Sequence, residues 1–228
     1  MRLGGFQKTS LSDFPGKVAA ICFTQGCNLR CRYCHNPGLV PYQGETSPEW
    51  DTVLEFLDQR KGQLDGVVFT GGEPLMQGDL AEAMRQVRSL NYAVKLDTNG
   101  TWPQPLQTLL DEGLIDYLAM DFKSDASGWG ELTGTDVGFS RVLETLDLVK
   151  NAAIETEIRL TLSPDFHYDQ RIDAMIPLLH GAPQVILQTL SGFDTLDASW
   201  RDHNPMTADA LRRIQARLAP HVGRCLIR

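Results

Sequence analysis

The chain has 228 residues and a mass of 25.4 kDa, and its 42% hydrophobic content is enough to build a core without disulfides. A net charge of -8 and a pI near 5.1 leave no broad basic surface, which argues against a nucleic-acid partner. No run approaches the roughly 18 apolar residues of a membrane span. Residues 1–6 are too short and polar for a secretory signal, so a cytoplasmic protein without a membrane partner is expected.

In chain order, Pro15-Gly16 is a strong turn signal inside residues 6–17, which read as a lead-in hairpin. Beyond it, short apolar runs alternate with amphipathic ones. Strands are expected at 18–24, 66–70, 92–98, 117–122, 157–162 and 185–190, and helices at 48–59, 79–89, 103–112, 139–151, 169–179 and 207–218. The alternation predicts an α/β fold with a parallel sheet, six βα units, two short of a full barrel. No linker or repeat divides it, so residues 1–228 read as one domain: hairpin 1–17, βα repeats 18–219 and a C-terminal tail 220–228.

In parallel α/β folds the functional loops follow the carboxyl ends of the strands. Those ends read Thr24-Gln25-Gly26-Cys27, Thr70-Gly71-Gly72-Glu73-Pro74, Asp97-Thr98-Asn99-Gly100, Asp121-Phe122-Lys123, Leu162-Ser163-Pro164 and Gln188-Thr189-Leu190-Ser191-Gly192. Polar residues and glycines collect on one rim.

Three of the five cysteines, Cys27, Cys31 and Cys34, fall within eight positions after the first strand. In a reducing compartment such a group points to metal before disulfides. Three thiolates on one loop suit three irons of a cubane cluster and leave the fourth iron open. A zinc site would want a fourth ligand, for which His35 beside Cys34 is badly placed. Cys22 and Cys225 lie far apart and read as small buried hydrophobes.

The spacing Cys27-x3-Cys31-x2-Cys34, with the aromatic Tyr33 before the last cysteine, resembles the signature of the radical S-adenosylmethionine (radical SAM) superfamily. The resemblance implies a partial (β/α)6 TIM-like barrel, a [4Fe-4S] cluster on the three cysteines, and S-adenosylmethionine (SAM) bound at the open iron and cleaved to a 5'-deoxyadenosyl radical. It sets Tyr33 against the adenine, although an aromatic there also serves as a loop anchor. Gly71-Gly72-Glu73-Pro74 resembles the motif that binds the methionine moiety: the glycines permit close backbone approach and Glu73 can accept from an ammonium. A plain strand-to-helix turn has the same composition.

Asp97-Thr98-Asn99-Gly100 and Met120-Asp121-Phe122-Lys123 resemble rim motifs of glycyl radical enzyme activating proteins. By that resemblance Asp97, Thr98, Asn99, Asp121 and Lys123 surround the ribose and carboxylate of SAM, and Asp97, Thr98 and Asp121 suit a monovalent cation. A solvated Asp-Lys pair and an Asn-Gly turn are the plainer readings. Arg159, on a buried strand, needs an anion or a pairing carboxylate, and Glu155 or Glu157 could supply the latter. His167 reads as a surface-loop histidine with a possible substrate role shared with residues 188–194.

Residues 10–17 (Ser-Leu-Ser-Asp-Phe-Pro-Gly-Lys) and His35-Asn36-Pro37 resemble activating proteins of anaerobic ribonucleoside-triphosphate reductase, which implies that glycyl radical enzyme as partner and reduced flavodoxin or ferredoxin as electron donor. The Asp-Thr-Asn-Gly and Asp-Phe-Lys rims also resemble pyruvate formate-lyase activating enzyme. Small-molecule radical enzymes such as 7-carboxy-7-deazaguanine synthase share the cysteine loop and the Gly-Gly-Glu-Pro motif. An iron-sulfur electron carrier would ordinarily bring four cysteines and has no need of residues 71–74.

Overall fold

A computed structural model of the chain describes residues 1–136, 138–190, 195–201 and 204–228. It is an α/β fold with eight strands in a mostly parallel sheet, ordered as in the chain. The strands are β1 (Leu3–Ser10), β2 (Ala19–Thr24), β3 (Gly66–Gly71), β4 (Ala93–Thr98), β5 (Tyr117–Asp121), β6 (Glu155–Leu162), β7 (Gln184–Thr189) and β8 (Arg224–Ile227). The helices are α1 (Trp50–Gln59), α2 (Leu80–Ser89), α3 (Pro103–Asp111), α4 (Ala126–Thr133), α5 (Phe139–Asn151), α6 (Asp169–Leu179) and α7 (Ala208–Leu218). Among the described residues no helix is long and apolar enough to cross a membrane.

The chain forms two compact units. The first comprises Met1–Asn28, Gly38–Thr98 and Gln104–Leu118; the second comprises Leu29–Pro37, Asn99–Pro103 and Ala119–Arg228.

In the first unit β1 runs antiparallel to β2, and β2, β3 and β4 are parallel neighbours. Val67, Val68 and Phe69 of β3 are fully buried in sequence, the pattern of a parallel strand covered on both faces. Helix α2 buries Leu80, Ala83, Met84 and Val87, the i, i+3, i+4, i+7 stripe of an amphipathic helix. The β2/β3 register sets Ala19 opposite Gly66 and Thr24 opposite Gly71, so the two strands begin and end abreast.

The second unit pairs β6, β7 and β8 in parallel. Helix α5 repeats the stripe with Val142, Thr145, Leu146 and Val149. Two elements lie outside the sequence expectation. Helix α4 is capped by the Asp125 carboxylate, which accepts from the Ser127 backbone N–H. It is only eight residues long and rich in Gly, Ser and Thr, too short and polar for a periodicity signal. Residues 224–227, read as tail, form β8, an edge strand whose four residues have no alternating pattern because most face solvent.

The residues 10–17 that resemble an activating-protein motif also close the amino end of the strands in the first unit. Phe14 is only 2% exposed, its ring 6.0 Å from that of Tyr117. A Cβ on Gly66 would sit 2.9 Å from both the Phe14 ring and the Ala93 carbonyl oxygen, so glycine is required there for the ring to fit. The Val18 N–H donates to the Asp65 carboxylate at 2.8 Å and the Asp65 N–H returns to the Val18 carbonyl at 2.7 Å. Phe14→Ala is expected to cost about 3–5 kcal/mol, read from the urea midpoint at constant m; a loss below about 1 kcal/mol would show that the plug is dispensable.

Candidate functional site

In the first unit the limb that leads into Cys27 is fixed by backbone hydrogen bonds. The Gly26 N–H donates to the Leu39 carbonyl at 2.8 Å and the Cys27 N–H to the Val40 carbonyl at 3.1 Å. The buried Gln25 amide reinforces the same return strand, donating to the carbonyls of Gly38 at 3.0 Å and Pro41 at 2.6 Å.

Gly71 and Gly72 pack against this limb. Gly71 has φ +110°, and a Cβ there would lie 2.5 Å from the Thr24 nitrogen. A Cβ on Gly72 would lie 2.0 Å from the Gly26 carbonyl oxygen. The Gly72 N–H donates to Thr24 O at 2.9 Å and the Glu73 N–H to Gly26 O at 2.8 Å. The close approach that the sequence suggested for a ligand is therefore used first by the backbone of the cysteine loop itself. Glu73 is fully buried; its Oε1 accepts from Thr98 Oγ1 at 2.8 Å and from the Leu75 N–H at 3.2 Å, capping the short helical turn that Pro74 opens. Asp97 is ion-paired with Lys95, which is only 2% exposed and lies two residues earlier on the same face of β4. That partner was missed in the sequence although the i, i+2 spacing carries it.

In the second unit Cys31, Tyr33 and Cys34 lie on a segment held by α4. The Arg30 N–H donates to the Thr133 carbonyl at 2.8 Å and the Arg32 N–H to the Leu132 carbonyl at 3.0 Å. From the other side the N–H groups of Leu196 and Asp197 donate to the carbonyls of Cys34 and Arg32 at 3.2 and 3.0 Å. Arg32 Nε donates to the Asp197 carboxylate at 2.8 Å, and hydrogen bonds from Ser199 together with Arg32 hold that carboxyl down at about 2. Tyr33 is buried with Leu132, Phe166, Leu190 and Trp200, and burial raises its phenol well above the ordinary range. The ring thus anchors its loop.

Asp121 accepts from Arg159 Nε at 2.7 Å and lies 3.9 Å from Lys123 Nζ, whose ammonium is 5.6 Å from the centre of the Tyr33 ring. Arg159 takes this carboxylate rather than Glu155 or Glu157, because Phe122 N–H bonds the Arg159 carbonyl at 3.0 Å and sets the residues beside each other. The Asn99 side-chain oxygen accepts from Thr101 N–H at 3.0 Å and Thr101 Oγ1 at 2.6 Å, the turn reading of Asn-Gly.

His167 is not a surface residue. It is 4% exposed, and burial lowers its pKa from 6.5 to about 4. Of the later rim, Ser191 to Asp194 lie outside the described residues. Cys22 is buried in β2, where desolvation pushes its thiol up. Cys225 is only half-buried on the edge strand β8, its thiol pushed up to about 11, so the expectation of a buried hydrophobe holds for one of the pair.

Cys27, Cys31 and Cys34 are thiols rather than disulfide partners, Cys31 buried and the other two partly exposed. Soft thiolates from one loop fit an iron-sulfur cluster. Among the described residues no group of three or more His, Cys, Asp or Glu side chains is gathered to hold a metal ion. The cysteines' assignment therefore rests on their spacing and ligand chemistry.

The radical SAM superfamily model matches residues 21–175, more than half of the chain. The chain belongs to the radical SAM superfamily and is an enzyme, a family that implies a [4Fe-4S] cluster and SAM. It is 28% identical over 234 residues to a Methanocaldococcus jannaschii protein that bears the provisional name of glycyl-radical enzyme activating enzyme, covering 99% of this chain and 95% of that one. Similarity to a probable GTP 3',8-cyclase of Halobacterium salinarum reaches 32% over 151 residues, 62% of this chain and 42% of the cyclase. A crystal structure of a domain of pyruvate-formate lyase-activating enzyme from Bacteroides vulgatus shares the fold, with a TM-score of 0.58 and 18% identity over 72% of this chain and 99% of that one.

Two outcomes are expected. Gly72→Ala has no space for its methyl group against Gly26 O, so it should displace the Cys27 limb, lowering iron and sulfide content after anaerobic reconstitution as well as SAM affinity in a titration. Wild-type loading of both would show that the backbone contact is not needed. For His167, the folded pKa lies below the ordinary 6.5, so the unfolded chain takes the proton first. The neutral ring's stability is whole above pH 6.5 and is lost as pH falls through about 4. Relative to His167→Gln, the wild type should lose on the order of 3 kcal/mol between pH 7 and pH 4 in urea melts; parallel pH profiles would refute a neutral buried ring.

Proposed function

We propose that this chain is an activating enzyme of a glycyl radical enzyme: it holds a [4Fe-4S] cluster on Cys27, Cys31 and Cys34, binds SAM, and generates a glycyl radical on anaerobic ribonucleoside-triphosphate reductase. The observation that carries the reading is the three-cysteine loop of a radical SAM protein in a chain similar from end to end to an activating enzyme. Cyclase matches reach 62–73% of the chain, against 99% for the activating enzyme, and this difference supports activation of a protein over small-molecule chemistry. Residues 10–17 and 35–37 support the reductase as partner by resemblance, with reduced flavodoxin or ferredoxin as electron donor. The work of residues 10–17 in packing Phe14 makes them weaker evidence for a partner than residues 35–37. A cytoplasmic setting suits thiolate ligands.

When bound, the cluster supplies the single electron that cleaves SAM reductively. The chain's own residues bind, orient and exclude water. Cys27, Cys31 and Cys34 would hold the cluster and leave it one position without a protein ligand, open to SAM. The Gly71-Gly72 backbone sets the height of the Cys27 limb, and Glu73, braced by Thr98, caps the short helical turn that follows. Lys123 is suited to the carboxylate of SAM, and Asp121 to its ribose. Asp97 and Asp121 each already face a cation of the protein, Lys95 and Arg159 respectively. A monovalent cation would have to share those carboxylates.

Anaerobically reconstituted protein, given dithionite and SAM, should release 5'-deoxyadenosine and produce a glycyl doublet by electron paramagnetic resonance on added anaerobic ribonucleotide reductase. Cys31→Ala should lose the intact four-iron signature and both products. Cleavage without the doublet would move the partner to pyruvate formate-lyase, another glycyl radical enzyme or a small molecule; an intact cluster without cleavage would overturn the reading.

A further inference from the structure

His167 stands in the second unit between the ends of two strands. Lys123 follows β5, Ser163 follows β6, and His167 comes two residues before α6. Its Nδ1 accepts the Ser163 N–H at 3.1 Å, and its Nε2 lies 3.0 Å from the Lys123 carbonyl oxygen. A backbone N–H can only donate and a carbonyl can only accept. Both contacts are therefore satisfied together by one form of the ring, neutral with the hydrogen on Nε2. The His167 N–H adds a bond to the Ser163 carbonyl at 2.8 Å, and the Phe166 ring stands edge-on at 4.9 Å. Both ring nitrogens thus engage backbone groups in a buried setting, which suits a brace and leaves neither available for proton transfer.

What the brace holds is the backbone of Lys123, at the point where that side chain departs toward Asp121, 3.9 Å away, and the face of Tyr33, 5.6 Å away. A lysine side chain carries about 2 kcal/mol of rotamer entropy. Fixing its Cα removes one source of wander that packing at the ammonium cannot. Resting on the reading of Lys123 as a SAM-facing residue, we propose that His167 is a positioning residue that holds the Lys123 backbone through Nε2–H, and so sets the enzyme's affinity for SAM without touching it.

The test uses the reconstituted holoenzyme and the variants His167→Ala, His167→Gln and Lys123→Met. His167→Ala should raise KM for SAM about tenfold, the scale of losing a supporting hydrogen bond behind a ligand-binding residue, with kcat and iron content kept. Glutamine, which offers one acceptor and one donor, should restore most of it. Lys123→Met should raise KM as well, and the double variant with His167→Ala should be no worse than Lys123→Met alone. Lys123→Met without effect on KM overturns the SAM-facing reading of Lys123. An effect of Lys123→Met with none from His167→Ala, or fully additive effects, overturns the brace. Loss of kcat in His167→Gln at unchanged KM would instead make His167 a proton-transfer group. If His167→Ala does not fold, nitrogen-15 histidine spectra of the wild type decide, the signal assigned by its absence in His167→Gln: a neutral Nε2–H ring is expected, and a charged or Nδ1–H ring overturns the proposal.

Discussion

The constraint on which the first unit depends is the backbone contact between Gly72 and Gly26. A side chain at 72 would occupy the space of the Gly26 carbonyl oxygen, 2.0 Å from an ideal Cβ, and that oxygen is also the acceptor for the Glu73 N–H. The strand register, Thr24 opposite Gly71, delivers the two segments at the same height. The glycines then let them touch where any other residue would force them apart. Cys27 follows at once. The position of the first thiol is thereby tied to the end of β3 by backbone alone, and the loss of conformational freedom at two glycines is offset by the backbone hydrogen bonds that their close approach permits.

Charge is handled by pairing within each unit. Glu73 has no exposure, and a carboxylate so placed would be costly without donors; Thr98 and the Leu75 N–H supply them. Lys95 is buried on β4 and needs an anion, which Asp97 provides from the same face. In the second unit Arg159 and Lys123 share Asp121. Asp121 thereby supplies the counter-charge that Arg159 needs on a largely buried strand.

The six strands and six helices expected from periodicity all appear, most within one or two residues of their predicted ends, because apolar stripes such as Leu80, Ala83, Met84 and Val87 leave little ambiguity. Helix α4 and strand β8 were illegible for opposite reasons: the helix is stabilised by a cap and by the segment it holds, and the strand by a single neighbour at an exposed edge. The cysteine loop and the Gly-Gly-Glu-Pro turn were legible as motifs, yet their mutual packing was not, since nothing in a sequence says which backbone a glycine admits. His167 was misread because its burial depends on tertiary hydrogen bonds to Lys123 and Ser163, one of them 44 positions away. Arg159 was given the wrong carboxylate for the same reason: near neighbours along a strand are easy to see, and a partner on the next segment is not.

The segment from Arg30 to Cys34 is held by carbonyls and N–H groups of Leu132, Thr133, Leu196 and Asp197, a frame indifferent to side chains. Within it the side chains with evident demands are few: the thiols, the buried ring of Tyr33, and Arg32 on Asp197. Such a frame rests on the backbone of four partners and constrains the identity of few side chains in the segment. Discrimination among partners then has to come from residues outside the frame. Lys123 reaches that loop from outside the frame, its ammonium over the ring of Tyr33, and His167 bonds the backbone from which it departs, so that a change of one hydrogen bond alters how a charged group is presented to the loop.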